Sequence, residues 1–278
     1  MLTNLSPRNT QLVSGLGTST AASIRHEWLI KTLGTVKNNA FVEGVDASYV
    51  ALTNPTRVVN YTQIARQGYS VTDTERSVNT AAFNDRYAQE ATDALSNLKN
   101  DMEYALIRGS LASGTGSAAR QLRGIKNSLS LATSQSGISL TEKILNDYLQ
   151  LVWDNTSSEV NAVYADMYMK RKVSAFTTNG NTKYIAADDK RLVNSVDVYQ
   201  ADAAQMVKLF PHRYVTISTD TNHDIIGINE DMFKVAYLRK PFTRELAKTG
   251  DATNGEVTTE FTLENAHYNS GFWGQQHL

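Results

Sequence analysis

The feature that most limits the fold is one long amphipathic run between residues 80 and 108. Phe83, Tyr87, Ala91, Ala94, Leu95, Leu98, Met102, Ala105 and Leu106 recur at spacings of three and four, which is the signature of a helix with one apolar face. Asn79 or Thr80 can cap its start, and Gly109 ends it. About 29 residues at 1.5 Å each make a rod of roughly 43 Å, two to three times an average globular helix. Asp85, Arg86, Glu90, Asp93, Lys99, Asp101 and Glu103 are expected on its outer face. The run reads as a half-buried scaffold and not as a site.

Residues 50–78, upstream of it, read as strands, with Val58, Val59, Tyr61, Ile64, Tyr69 and Val71 set among Thr and Gln. Gly68 lies between two such runs and suits a hairpin tip. This predicts a two-stranded ribbon exposed on both faces, marginal alone and in want of a partner surface. Residues 1 to about 45 read as an extended arm interrupted by Pro7, Gly15, Gly17, Gly34 and Gly44, with a short helical turn around His26–Leu33. Trp28 and Phe41 on a free arm would be an aggregation liability. They are expected to dock on this chain or on a neighbour.

Downstream, residues 109–139 form a small-residue loop around an apolar break at Leu122 and Ile125. Helices are predicted over 140–153, capped by Thr141 or Ser139, and over Ala165–Phe176. Short strands follow at Tyr184–Ala187, Tyr214–Ser218, Ile225–Ile228 and Phe233–Leu238. Glu256, Thr258, Glu260, Thr262 and Glu264 alternate with Val257, Thr259, Phe261 and Leu263, which predicts a strand with one wet face. Helices and strands are segregated and no internal repeat is visible, so the class is α+β.

Chemistry is conspicuous by its missing parts. Among 278 residues there is no cysteine, which removes disulfides, thiolate metal sites and a cysteine nucleophile together. The histidines, at 26, 212, 223, 267 and 277, include no i, i+4 pair for a metal. Gly15-Leu16-Gly17 lacks the third glycine of a dinucleotide loop, and Gly109 to Gly114 lacks the Lys-Ser/Thr of a phosphate loop. No Gly-x-Ser-x-Gly elbow occurs. The adjacent acids Asp188-Asp189 and Glu230-Asp231 point apart on a strand or turn. An enzyme on this chain would need a site assembled from distant segments. With 27 basic and 28 acidic residues, the chain cannot coat nucleic acid by charge alone; Lys170-Arg171-Lys172 is its small basic cluster. No apolar run approaches the length of a membrane helix. An arm, a ribbon and an over-long helix, all needing neighbours, point to an assembly subunit without cofactors.

The residues also carry a resemblance. Leu5-Ser6-Pro7, His26-Glu27-Trp28, Asn39-Ala40-Phe41-Val42-Glu43-Gly44-Val45-Asp46-Ala47 and Arg57-Val58-Val59-Asn60-Tyr61-Thr62-Gln63-Ile64 occur in order. The long helix, Leu122-Arg123-Gly124-Ile125 and the closing Thr262-Leu263-Glu264-Asn265-Ala266-His267 follow. This pattern resembles tailed-bacteriophage major capsid proteins of the Hong Kong 97-type fold.

The resemblance implies an N-arm over 1–48, an E-loop over 49–79 and a peripheral domain with its spine helix over 80–137. It further implies an axial domain over 138–225 and return strands over 226–278. The implied function is a shell subunit building hexamers and pentamers of an icosahedral head around double-stranded DNA, touched weakly and non-specifically. Implied partners are copies of itself, a separate scaffolding protein, a portal and cement proteins, in a virion assembled in the bacterial cytoplasm, with no membrane. An encapsulin-like cargo shell shares the fold and is the alternative. Subunit-contact candidates are Trp28 and Phe41 on the arm and Arg57, Tyr61, Arg66 and Tyr69 on the E-loop. Asp85, Glu90 and Asp93 on the spine complete them, with Arg57 or Arg66 expected to meet a neighbour's acid. Some shells of this fold are welded through an E-loop lysine; no lysine lies between Lys37 and Lys99, so no such weld is expected.

Overall fold

The computed structural model describes residues 10–34, 36–47, 49, 52–78, 85–135, 137–176, 197–201, 206–217, 220, 222–248 and 250–277. The chain opens with α1 (Gln11–Gly15), β1 (Gly17–Thr20) and β2 (Arg25–Ile30). After a long loop come β3 (Thr56–Tyr61), β4 (Gln63–Thr72) and α2 (Asp73–Ser77), then the long helix α3 (Arg86–Arg108). Next are α4 (Ile125–Ser128), β5 (Leu131–Ser134), α5 (Glu142–Asn155), β6 (Ala162–Ala165) and α6 (Met167–Phe176). β7 (Val198–Gln200), β8 (Met206–Pro211), β9 (His223–Ile228), β10 (Phe233–Glu245), β11 (Ala252–Asn265) and β12 (Gly271–His277) complete it.

α3 is the expected rod. Asp85 caps it, its carboxylate accepting from the N–H groups of Tyr87 and Ala88, and Gly109 ends it. Residues 79–84, with the expected caps Asn79 and Thr80 and the start of the periodic run, lie outside the described residues. The apolar face buries Ala94 and Leu98 against Val257, and Met102 and Leu106 in a larger core.

That core fills the space between α3 and a four-stranded sheet in the order β1-β10-β11-β4. A six-stranded sheet, β5-β12-β9-β6-β8-β7, carries a second core under α5 and α6. Both helices are amphipathic, and Thr141 caps α5 as expected. Arg108 ties the end of α3 to this half through a two-pronged bond to Asp220 at 2.7 and 3.1 Å, a geometry that fixes direction as well as distance. The pair holds the Asp220 carboxyl below its ordinary value.

Several expectations change. Gly68 is no hairpin tip: it sits inside β4, opposite Glu256 of β11. The ribbon exists, but it is β2 against β3, with Trp28 opposite Val58 and Ile30 opposite Thr56. The chain leaves the ribbon for the sheet at Thr62, which is buried and bonded to Glu260 and to the carbonyl of Ile24. The helical turn expected around His26–Leu33 is therefore strand β2, as the strict alternation of Arg25, Glu27 and Leu29 with His26, Trp28 and Ile30 allows.

The wet face of β11 is dry. β11 is an inner strand, and its acids are covered by partners: Glu256 by Arg244, Glu260 by Arg120 and Arg239. Glu103, expected on the outer face of α3, is fully buried. Tyr214–Val215 lie in a turn and Thr216 in a bend instead of a strand, and Ser218, the end of that expected strand, lies outside the described residues. The strand expected at Tyr184–Ala187 lies outside the described residues.

Candidate subunit-contact surface

The ribbon belongs to neither large sheet, so its root must be held by side chains. Asn60 is the central clamp. It is 3% exposed, and its amide donates to the carbonyls of Leu263 (2.7 Å) and Arg123 (3.1 Å). Its oxygen accepts from the N–H groups of Arg123 (2.7 Å) and Tyr61 (2.9 Å). All four hydrogen-bonding positions of the side chain are filled. The Trp28 indole donates to the carbonyl of Asn265 at 2.9 Å. His26 Nε2 meets Glu264 at 3.2 Å, and Ser19 donates to the same oxygen at 3.0 Å. The bond from His26 holds the Glu264 carboxyl below its usual value. β2 and β3 thus stand on a polar, rigid base.

Beyond that base, residues 31–55 join the two strands, and their described residues carry no regular structure. Leu33, Val36, Phe41, Val42, Val45, Tyr49 and Leu52 are 61% exposed or more. Burying side chains of this kind is worth roughly 1.5–3 kcal/mol each, and a lone soluble chain seldom displays so many together. One local structure stands out: a turn closed by the N–H of Val45 on the carbonyl of Val42. Gly44 holds φ at +83° there, a backbone that L side chains rarely adopt.

The other candidates are scattered. Trp28 is half-buried against its own chain and Phe41 is exposed, so the two arm residues separate. Arg57 pairs with Glu27 of its own chain at 3.1 Å. Tyr61 lies half-buried at the end of β3. Arg66 is exposed on β4 and makes no ion pair with a described residue. Tyr69 packs on Tyr87, ring centres 5.1 Å apart, and burial pushes its phenol well up. Asp85 is spent on capping α3, Glu90 pairs with Arg86 at 3.1 Å, and Asp93 accepts from Gln89.

Leu33, Val36, Val42, Val45, Tyr49 and Leu52, exposed beside Phe41, were not among the contact candidates expected from the sequence. The available signal was a run of spaced apolar residues with neither helical nor strand period between Leu33 and Leu52. The loop between β2 and β3 contains Lys31 and Lys37, outside the 49–79 span on which the expectation of no lysine weld rests.

A second polar cluster lies inside the body. Glu103 accepts from the N–H groups of Leu12 (2.7 Å) and Val13 (2.8 Å) and from His212 Nε2 (2.8 Å). The N–H of Tyr214 donates to His212 Nδ1 at 3.2 Å, which places the imidazole proton on Nε2, facing Glu103. This cluster fastens the N-terminal segment to the spine helix. Among the described residues no group of three or more His, Asp or Glu could hold a metal ion, and no helix is long and apolar enough to cross a membrane.

A spine helix across a sheet, a second sheet-and-helix body and a projecting ribbon with an apolar tip define a subunit of a Hong Kong 97-type shell. The fold is shared, across nearly the whole chain, with solved structures of very different sequence. The capsid of a native GTA particle is 10% identical, with 99% of this chain and 93% of that chain covered and a TM-score of 0.67. Gordonia phage Cozz gives 11%, 100%, 89% and 0.65 in the same order. The holo-SrpI encapsulin complex from Synechococcus elongatus PCC 7942 gives 14%, 99%, 91% and 0.63. The SU10 major capsid protein family model matches residues 1–273. The chain belongs to that family and is a capsid shell protein. No curated protein sequence matches it.

Proposed function

We propose that this chain is the subunit of hexamers and pentamers in an icosahedral phage head that encloses double-stranded DNA, and that it performs no catalysis. The observation that carries the reading is the row of exposed apolar side chains among the described residues of 31–55, on a clamped ribbon, a surface that gains stability when another surface covers it, as a second copy in a shell would. In this layout the ribbon β2–β3 with its loop is the projecting E-loop, earlier in the chain than the 49–79 expected from sequence. Residues before β2 are the arm, α3 with the β1-β10-β11-β4 sheet the peripheral domain, and the six-stranded sheet with α5 and α6 the bulk of the axial domain. Near-neutral charge suits a lining that must let DNA slide during packaging and release. Scaffolding protein, portal and cement proteins are the expected partners, and the host cytoplasm the place of assembly.

The test is electron microscopy of the purified protein together with analysis of its contents. Shells holding DNA support the reading. An encapsulin-like compartment, the alternative suggested by the shared fold, would hold protein cargo instead. A variant with Phe41→Ser, Val42→Ser and Val45→Ser should stay folded as a protomer, because all three side chains are already exposed, and should not close shells. Normal shells from it would overturn the role of the loop.

A further inference from the structure

Beneath the ribbon lies a cleft of about 540 Å³, between β3 and the segment 123–130. Three arginines, Arg25, Arg57 and Arg123, line it, with no acidic residue among its lining. Arg25 and Arg57 share the single carboxylate of Glu27, at 2.7 and 3.1 Å. Arg123 is half-buried, its backbone fixed by Asn60, and its guanidinium has no partner among the described residues. The cleft therefore carries an excess of about two positive charges. Its apolar walls include Trp28, Leu111 and Tyr268, of which Leu111 is 39% and Tyr268 44% exposed. Arginine and aromatic side chains are enriched in the cores of protein contacts.

We infer that this cleft receives the 41–46 turn of a neighbouring copy's loop. This rests on the loop-docking reading above and names its receptor. The turn matches in three respects. It presents apolar side chains, Phe41, Val42 and Val45, all at least 61% exposed. It carries two acids, Glu43 and Asp46, exposed and bound to no described residue, against the two uncompensated positive charges of the cleft. And it is pre-shaped by the Val42–Val45 hydrogen bond and Gly44, so less ordering is lost on docking. Its own cleft does not hold it, since these side chains are in solvent in the single protomer.

The natural absence of cysteine makes the test clean. Val42→Cys and Leu111→Cys, combined in one chain and oxidised after assembly, should give a ladder of disulfide-linked multimers on a non-reducing gel, while each single variant stays monomeric. Co-assembling the two single variants should give heterodimers. A double variant that stays monomeric in closed shells, or an internal disulfide within one chain, overturns the pairing. Independently, Arg123→Glu and Glu43→Arg should each raise the concentration needed for assembly about tenfold, and the double reversal should restore it to within about threefold. No change in the single reversals overturns the inference. If the serine variant of the loop stops assembly while these reversals do nothing, the loop docks elsewhere and only the receptor is wrong. If the serine variant assembles normally, the loop reading itself fails.

Discussion

Replacing Glu103 by glutamine tests whether the N-terminal segment is fastened to the spine helix by one buried carboxylate. The side chain is fully buried and accepts three hydrogen bonds, from Leu12 N–H, Val13 N–H and His212 Nε2. Glutamine has the same shape but one acceptor oxygen. Placed where Oε1 now sits, that oxygen keeps the bonds from Leu12 and His212. The amide NH2 then faces the N–H of Val13, donor against donor. A bond to a charged acceptor is worth about 1.5–3 kcal/mol, and a buried donor left unpaired costs a further amount of the same order. A local loss of about 2–3 kcal/mol is expected, concentrated on residues 10–16. Hydrogen exchange reads this directly: the Leu12 and Val13 amides should exchange about 30- to 150-fold faster. Amides in β10 and β11, which do not depend on the cluster, should change far less. Unchanged exchange at Leu12 and Val13, or uniform acceleration across the chain, would refute the fastening.

Asn60→Ala removes all four bonds of the ribbon clamp and should cost about 2–4 kcal/mol in urea unfolding of the unassembled protein; a cost under about 0.5 kcal/mol counts against the clamp. Gly227→Ala puts a Cβ 2.2 Å from the Phe272 ring and should cost about 1–3 kcal/mol, whereas Gly15→Ala, with nothing within 4 Å, should lower stability little. His277 is buried, donates through Nδ1 to the carbonyl of Ile138 and accepts at Nε2 from Tyr148; burial lowers its pKa from the usual 6.5. The unfolded chain therefore takes up the proton first, and the folded state should lose stability as pH falls below about 6.5 and through the lowered folded value. His277→Phe should flatten that part of the pH profile of the melting temperature; an unaltered slope would show that the sensitivity lies elsewhere.

The long helix was legible because 23 residues of α3 carry one period and a defined end. The α5 and α6 helices and strands β9 and β10 were legible for the same reason. What hid the ribbon was pairing across a distance. β2 finds its partner on the far side of a loop, so the local cues at Gly68 pointed to a neighbour in sequence that the fold does not use. The polar side of β11 looked wet because alternation reports only that polar and apolar residues change places. It says nothing about arginines brought in from 120, 239 and 244 to cover the acids. Glu103 failed likewise, its partners lying at 12, 13 and 212. The exposed loop was half visible. Phe41, a candidate from the sequence, is exposed, but its apolar neighbours have no period, and the charged candidates Arg57, Asp85, Glu90 and Asp93 are occupied within the chain.

In the proposed assembly, the loop 31–55 is completed by another copy of the chain. A cryo-electron microscopy structure of the assembled particle, resolved to side chains, tests it most directly. Closed shells are expected in which Phe41, Val42 and Val45 are buried against a neighbouring subunit. Closed shells with those side chains in solvent, or a purified chain that stays monomeric under all assembly conditions, would contradict it.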